Sequence, residues 1–200
     1  MKNKSKKGFI IKGIIITASV LAIVLIAYVV LTLLTPKVDF TKKQDDIFYF
    51  PVDFSENIFE DIVYMSKNRD VRFDYYGIAV FINEENYSEQ TKEAKFFYDY
   101  FKTVINGDAE RYKGFFAQSF FARHSIPKSF TMQKIYDIEV SAMTSDIEDS
   151  VAYETYKVSY KIYENNGTFR ADVSSGESKP VAIKVQKGTE LKIVSIIPIL

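Results

Sequence analysis

Residues 95–121 read KFFYDYFKTVINGDAERYKGFFAQSFF, and ten of the 26 residues from Phe96 onward are aromatic. A stretch so rich in rings has to be buried. Ala94, Phe97, Tyr100, Phe101 and Val104 recur at intervals of three and four, which puts them on one face of a helix. Tyr112, Phe115, Phe116, Ser119 and Phe120 repeat that spacing after a break at Asn106-Gly107-Asp108. Asn106-Gly107 suits the left-handed residue that stops a helix, and Asp108 then caps the next one, with Glu110 in its positive first turn. The pattern predicts a helical hairpin, capped at Asn86 or Ser88 and ended near Arg123 by Pro127, which forces Ile126 to be extended. Its aromatic stripe needs a broad apolar surface to lie on.

The C-terminal half has the character of such a surface. From residue 130 the period changes to two. Tyr136, Ile138, Val140 and Ala142 alternate with Asp137, Glu139 and Ser141, and Tyr156, Val158, Tyr160 and Ile162 alternate with Thr155, Lys157, Ser159 and Lys161. Asn165-Asn166-Gly167 is a hairpin signal, expected to lead into a strand through Phe169, Ala171 and Val173. Two further strands, 181–185 and 191–197, follow turns at Ser175-Gly176 and Lys187-Gly188. One apolar face per strand predicts an antiparallel meander that is wet on its other side. Residues 71–82 read as one strand or a hairpin bent at Gly77 and lying against the main body, preceded by a short helix after Ser55. The expected fold class is α+β, a helical hairpin packed on a curved antiparallel sheet behind an N-terminal transmembrane helix.

The last part of that expectation rests on residues 14–34, twenty-one uncharged residues, IIITASVLAIVLIAYVVLTLL. At about 1.5 Å per residue they span roughly 30 Å, the thickness of bilayer hydrocarbon. The run is longer than the apolar region of a signal peptide, and Leu33-Leu34-Thr35-Pro36 is no small-x-small cleavage site. Lys2, Lys4, Lys6, Lys7 and Lys12 precede it with no acid among them, which predicts a single pass with the N-terminus cytoplasmic and the C-terminal domain outside the cell membrane. The divisions that follow are a basic tail (1–13), a transmembrane helix (14–34), a stalk (35–46), an accessory strand and short-helix segment (47–87) and the main domain (88–200).

Charge and composition narrow the function. Beyond the five N-terminal lysines the chain holds 21 basic and 26 acidic residues, a net of −5, which argues against nucleic acid as a partner. There is no cysteine, so disulfides, thiolate metal sites and a cysteine nucleophile are excluded. His124 is the only histidine, beside Arg123 at the end of the second helix, where a cation suits the dipole. No histidine metal cluster can form, and Asp146, Glu148 and Asp149 lack the spacing of a calcium loop. No phosphate-binding loop, nucleotide fingerprint or Ser-His-Asp set is present, so neither a cofactor nor a metal is expected.

An aromatic helix pair joined by Asn-Gly-Asp and followed by a long meander resembles the nuclear transport factor two-like, or cystatin-like, superfamily. The likeness rests on Phe97, Tyr100, Phe101, Ile105-Asn106-Gly107-Asp108, Tyr112 and Phe116, then on the strands from 135 to 197, and covers residues 88–200. It implies a sheet curled round a helix, often leaving a conical pocket that serves catalysis in some members and binding in many. The apolar set expected to face that pocket, Tyr136, Ile138, Val140, Tyr156, Val158 and Tyr160, contains no acid, whereas an isomerase of this kind needs a desolvated carboxylate. Tyr136, Tyr156 and Tyr160 are the candidate ligand-binding residues, although tyrosines on such a face more often fill the core. The expectation is therefore a membrane-anchored interaction or scaffolding domain without catalytic activity, its partners the membrane and other envelope proteins or a second copy of itself. The alternative is a domain that binds a small ligand or envelope polymer in a tyrosine-lined cavity, and an enzyme is the remote third reading.

Overall fold

The computed structural model describes residues 52–199. A 3-10 turn (Ile58–Glu60) and helix α1 (Ile62–Met65) lead into strands β1 (Val71–Tyr75) and β2 (Ile78–Ile82). A second 3-10 turn (Tyr87–Glu89), helices α2 (Lys92–Ile105) and α3 (Ala109–Lys113) and a third 3-10 turn (Gln118–Ala122) come next. Strands β3 (Ile135–Glu148), β4 (Val151–Ile162), β5 (Val181–Lys187) and β6 (Lys192–Pro198) complete an α+β fold. The predicted tail (1–13), membrane span (14–34) and stalk (35–46) lie outside the described residues, as does the start of the 47–87 segment. No helix among the described residues is long and apolar enough to cross a membrane.

The six strands form one sheet in the order β2-β1-β3-β4-β5-β6. It is mixed, not antiparallel throughout: β1 runs parallel to β3, with Val71 opposite Ile138 and Phe73 opposite Val140. Alternating hydrophobicity states which face a side chain takes and is silent on the direction of the neighbouring strand. The long connection through α2 and α3 supplies the crossover that a parallel pair requires. Residues 71–82 are thus an integral edge of the sheet, a hairpin turned at Gly77, whose φ of +93° favours glycine.

Helix α2 buries Ala94, Phe97, Tyr100, Phe101 and Val104, the stripe expected from spacing. Phe97 packs on Tyr156 at 4.7 Å between ring centres and Phe101 on Tyr160 at 5.3 Å. Thr91, rather than Asn86 or Ser88, caps the helix by accepting from the Ala94 N–H. Asn86 instead braces the preceding turn through Asn83 and Phe81. Asp108 caps α3, and between the helices Gly107 has φ +69° with the Met132 backbone so close that a Cβ would lie 2.8 Å from its nitrogen.

Helix α3 ends at Gly114 instead of continuing to Arg123. The reason is competition for backbone hydrogen bonds. The Ile193 N–H donates to the Phe115 carbonyl and the Ala117 N–H to the Ile193 carbonyl, so this segment is tied to β6. The following 3-10 turn still brings Phe116 and Phe120 inward, which preserves the burial that the spacing implied without a continuous helix.

Three other expectations are corrected. No strand forms through Phe169, Ala171 and Val173; β4 pairs directly with β5. The buried Asn165 amide donates to the carbonyls of Arg170 and Val173, which gives this loop partners without a ladder. In β3, Asp137 adopts φ +50° within a shift of register between Tyr136 and Glu139. That bulge turns Ile135 and Ile138 both to the core and Tyr136 outward. Finally, the core face is not free of acid. Glu154 precedes Tyr156 by two residues on β4 and is fully buried.

Lysine 134 fastens the first described segment to the sheet. Its side chain, 8% exposed, contacts Glu56 at 2.8 Å, Asp61 at 2.9 Å and Glu164 at 2.6 Å. Nearby, the buried Tyr64 hydroxyl donates to the Ile135 carbonyl at 3.1 Å.

Candidate functional site: an aromatic cleft with an arginine

A cleft of about 500 Å³ opens where the helix pair, the loop after β4 and strands β5 and β6 converge. Small-molecule sites occupy about 300–1,000 Å³. Tyr100 reaches it from α2, Tyr112 from α3, Tyr160 from β4 and Arg170 with Asp172 from the loop, while His124 and Ile126 stand on the connector beyond the third 3-10 turn. The Asn-Gly-Asp joint brings Tyr100 and Tyr112 together, their rings tilted by 48° and their hydroxyls 3.1 Å apart. Phe169 packs edge-on against Tyr112, ring centres 5.4 Å apart, and the His124 ring lies 4.7 Å from that of Phe120.

Arg170 is the charged centre of the cleft, its side chain 18% exposed. Nε donates to Asp172 Oδ1 at 2.6 Å, Nη2 to Oδ2 at 2.8 Å and Nη1 to the Tyr160 hydroxyl at 3.2 Å. Burial works against the guanidinium charge, but the Asp172 carboxylate and the Tyr160 hydroxyl more than offset it and raise its affinity for the proton. The same pair of bonds holds the Asp172 carboxyl below the usual carboxylate range. Burial pushes the phenols of Tyr100, Tyr112 and Tyr160 up, so at neutral pH all three are uncharged hydroxyl donors. Asp172 is engaged by the guanidinium, and the cleft is equipped to hold an oxygen-rich group against aromatic walls.

The three tyrosines singled out by sequence are not brought together. Only Tyr160 lines this cleft. Tyr156 is sealed in the core, its hydroxyl donating to Glu154 at 2.9 Å. Tyr136 lies on the other face of the sheet, with the ammonium groups of Lys67 and Lys161 4.7 Å and 5.8 Å from its ring centre. Sequence reasoning passed over Tyr100, Tyr112 and Arg170. The first two belonged to the aromatic stripe, and a signal was present: buried tyrosine, unlike phenylalanine, has a hydroxyl that needs a partner. Arg170 sits in a loop that was read as a strand, where its spacing from Asp172 carried no meaning. Among the described residues, no group of three or more His, Cys, Asp or Glu side chains is placed to hold a metal ion.

Fold and cleft together define a small α+β domain with a ligand-sized cleft lined by three tyrosines and an arginine. No protein-family model, curated protein or solved structure matches the chain.

Proposed function

We propose that this protein is a membrane-tethered, non-catalytic binding domain that holds a small ligand, free or as part of an envelope polymer, in the Tyr100–Tyr112–Tyr160 cleft. One observation carries the reading: three buried phenols and a part-buried guanidinium converge on a ligand-sized space with aromatic walls. The uncharged run 14–34 behind five lysines supports the tether and an extracytoplasmic position. The resemblance to the nuclear transport factor two-like superfamily, many of whose members bind ligands in such a space, supports the same reading. A second reading, an interaction or scaffolding domain, is favoured by β2. This sheet-edge strand, IAVFI, carries no charge and leaves Ile78 75% and Phe81 53% exposed, the features of an edge open to another strand.

The chain contains no tryptophan, so an Ile126→Trp variant places a unique indole at the cleft mouth. In full-length protein held in lipid nanodiscs, a neutral naphthylamine dye should show saturable energy transfer from that indole above the lipid background. Transfer that only scales with lipid removes the ligand-binding reading. Protease added to intact cells should digest residues 35–200 and leave a membrane-bound stub. Protection of the whole body would remove the proposed topology.

A further inference from the structure

We infer that the ligand of this cleft is a carboxylate on an apolar body. This rests on reading the cleft as a ligand site and adds the chemical class that its inner surface selects. Arg170 has five N–H groups, of which three are spent: two on Asp172 and one on Tyr160. Among the described residues nothing accepts from the remaining two. The Tyr160 hydroxyl accepts from Arg170 and donates to no side chain or backbone group. Tyr100 and Tyr112 share a single hydrogen bond, so one of their two protons is also unspent. The buried end of the cleft therefore presents two phenolic and two guanidinium hydrogens.

The one carboxylate of the cleft lining, the exposed Asp172, accepts from the arginine through each of its two oxygens. A buried donor without an acceptor is costly, and a ligand that supplies acceptors recovers that cost. The complementary head is one with oxygens and no hydrogens to give. Arg170 and Arg123 against Asp172 leave the arginines and the carboxylate of the cleft lining at a net +1, matching a single negative charge. A carboxylate meets both conditions, and it is the planar two-oxygen group that an arginine fork accommodates. Apart from His124 and Ser125 on the connector, the remaining walls are apolar, among them Phe120, Phe169, Ile126, Ile183 and Ile196, so the body behind the head is apolar.

The test compares hexanoate, 1-hexanol, hexylamine and hexyl phosphate on full-length protein in nanodiscs, following ¹³C-labelled tyrosine rings by NMR so that lipid partitioning of the probe is not read. Hexanoate should move the Tyr100, Tyr112 and Tyr160 signals, with 1-hexanol at least about tenfold weaker and hexylamine without effect. Arg170→Gln should weaken hexanoate about tenfold and 1-hexanol distinctly less, and Tyr160→Phe, which keeps the ring, should weaken hexanoate about fivefold. Asp172→Asn preserves shape, releases the compensated charge and should tighten hexanoate; a merely structural role predicts the opposite sign. Equal binding of hexanoate and 1-hexanol, or tighter binding of hexyl phosphate, overturns the carboxylate assignment while the ligand site stands. If none of the four probes moves the three signals, the site itself is refuted.

Discussion

Glu154 and Lys187 form an ion pair at 2.8 Å in which the acid is the buried partner, its side chain 1% exposed against 30% for the lysine. Lys187 also reaches Glu93 on α2 at 2.9 Å, so one ammonium links β4, β5 and the helix. The Tyr156 hydroxyl donates to the same Glu154 oxygen, Oε2, and Oε1 has no hydrogen-bond partner among the described residues. Burial pushes the Glu154 carboxyl up, but the lysine and the tyrosine together outweigh it and hold the group below the usual carboxylate range.

Removing the lysine should therefore leave an uncompensated buried carboxylate. Lys187→Met is expected to cost about 3 kcal/mol in urea unfolding at pH 7, and adding Glu154→Gln should restore much of it. The sign of the pH dependence is fixed by the same contacts. In the parent protein the lowered folded value contributes stability above the unfolded value of about 4.3, and that contribution is lost as pH falls through the folded value. In the Met variant the Tyr156 hydroxyl remains but the lysine no longer opposes burial, so the folded value rises relative to the parent and acid relieves a penalty. The gap between the two proteins should close on acidification; a gap that widens would contradict the pairing.

Alkaline titration should expose the buried phenols. Tyr64 is pushed up to about 12 by burial, and burial likewise raises Tyr100, Tyr112, Tyr156 and Tyr160. A phenol with a raised folded value contributes stability that is fully present below the unfolded value of about 10 and is lost as pH rises through the folded one. Stability should fall across about pH 10–12, with these five rings ionising together as the fold opens. Five phenolate signals appearing near pH 10 with circular dichroism unchanged would show that these rings are not buried.

Two glycines with similar dihedrals should respond differently to alanine. At Gly107 the left-handed backbone costs about 1–2 kcal/mol, and the new Cβ would also meet the Met132 nitrogen at 2.8 Å and the Thr131 carbonyl carbon at 2.9 Å. At Gly77 nothing among the described residues lies within 4 Å, so only the conformational cost applies. Thermal melts should place Gly107→Ala well below Gly77→Ala; equal shifts would mean that the helix joint does not press on residues 131–132.

Two core aromatics and an exposed aliphatic residue should separate as cleanly. Phe101 is 1% exposed and Phe116 6%, and replacing either with Ala should cost about 3–5 kcal/mol. Ile62 is 85% exposed, so Ile62→Ser should stay within about 0.5 kcal/mol of the parent. Denaturant midpoints at an unchanged slope measure all three.

Period-three and period-two patterns marked the α2 stripe and the core face of β4 because burial is what those patterns record. They failed where a backbone group chose its partner. Phe115 and Ala117 bond to Ile193 across the chain, and no local spacing announces a partner 76 or more positions away. Asp137 breaks the parity of β3 through one dihedral, so the alternation that ran correctly from Ile138 onward misplaced Tyr136 alone. The parity of β4 extends two residues before Tyr156 and puts Glu154 on the same core face. As for the cleft, each of its tyrosines was visible, but their meeting depends on the Gly107 joint and on a loop held by Asn165, and both are tertiary facts.

The parallel pairing of β1 with β3 also sets an order of assembly during synthesis. When residues 71–82 leave the ribosome, the strand they will lie against, residues 138–141, has not been made. Until then β1 and β2 are an isolated two-stranded hairpin, which is marginal in water, with an uncharged outer strand exposed. Everything from β3 to β6, by contrast, joins in sequence through neighbours already present. The earliest strands of the chain thus wait for the third before they can dock, and a nascent chain paused before residue 138 exposes its most adhesive edge.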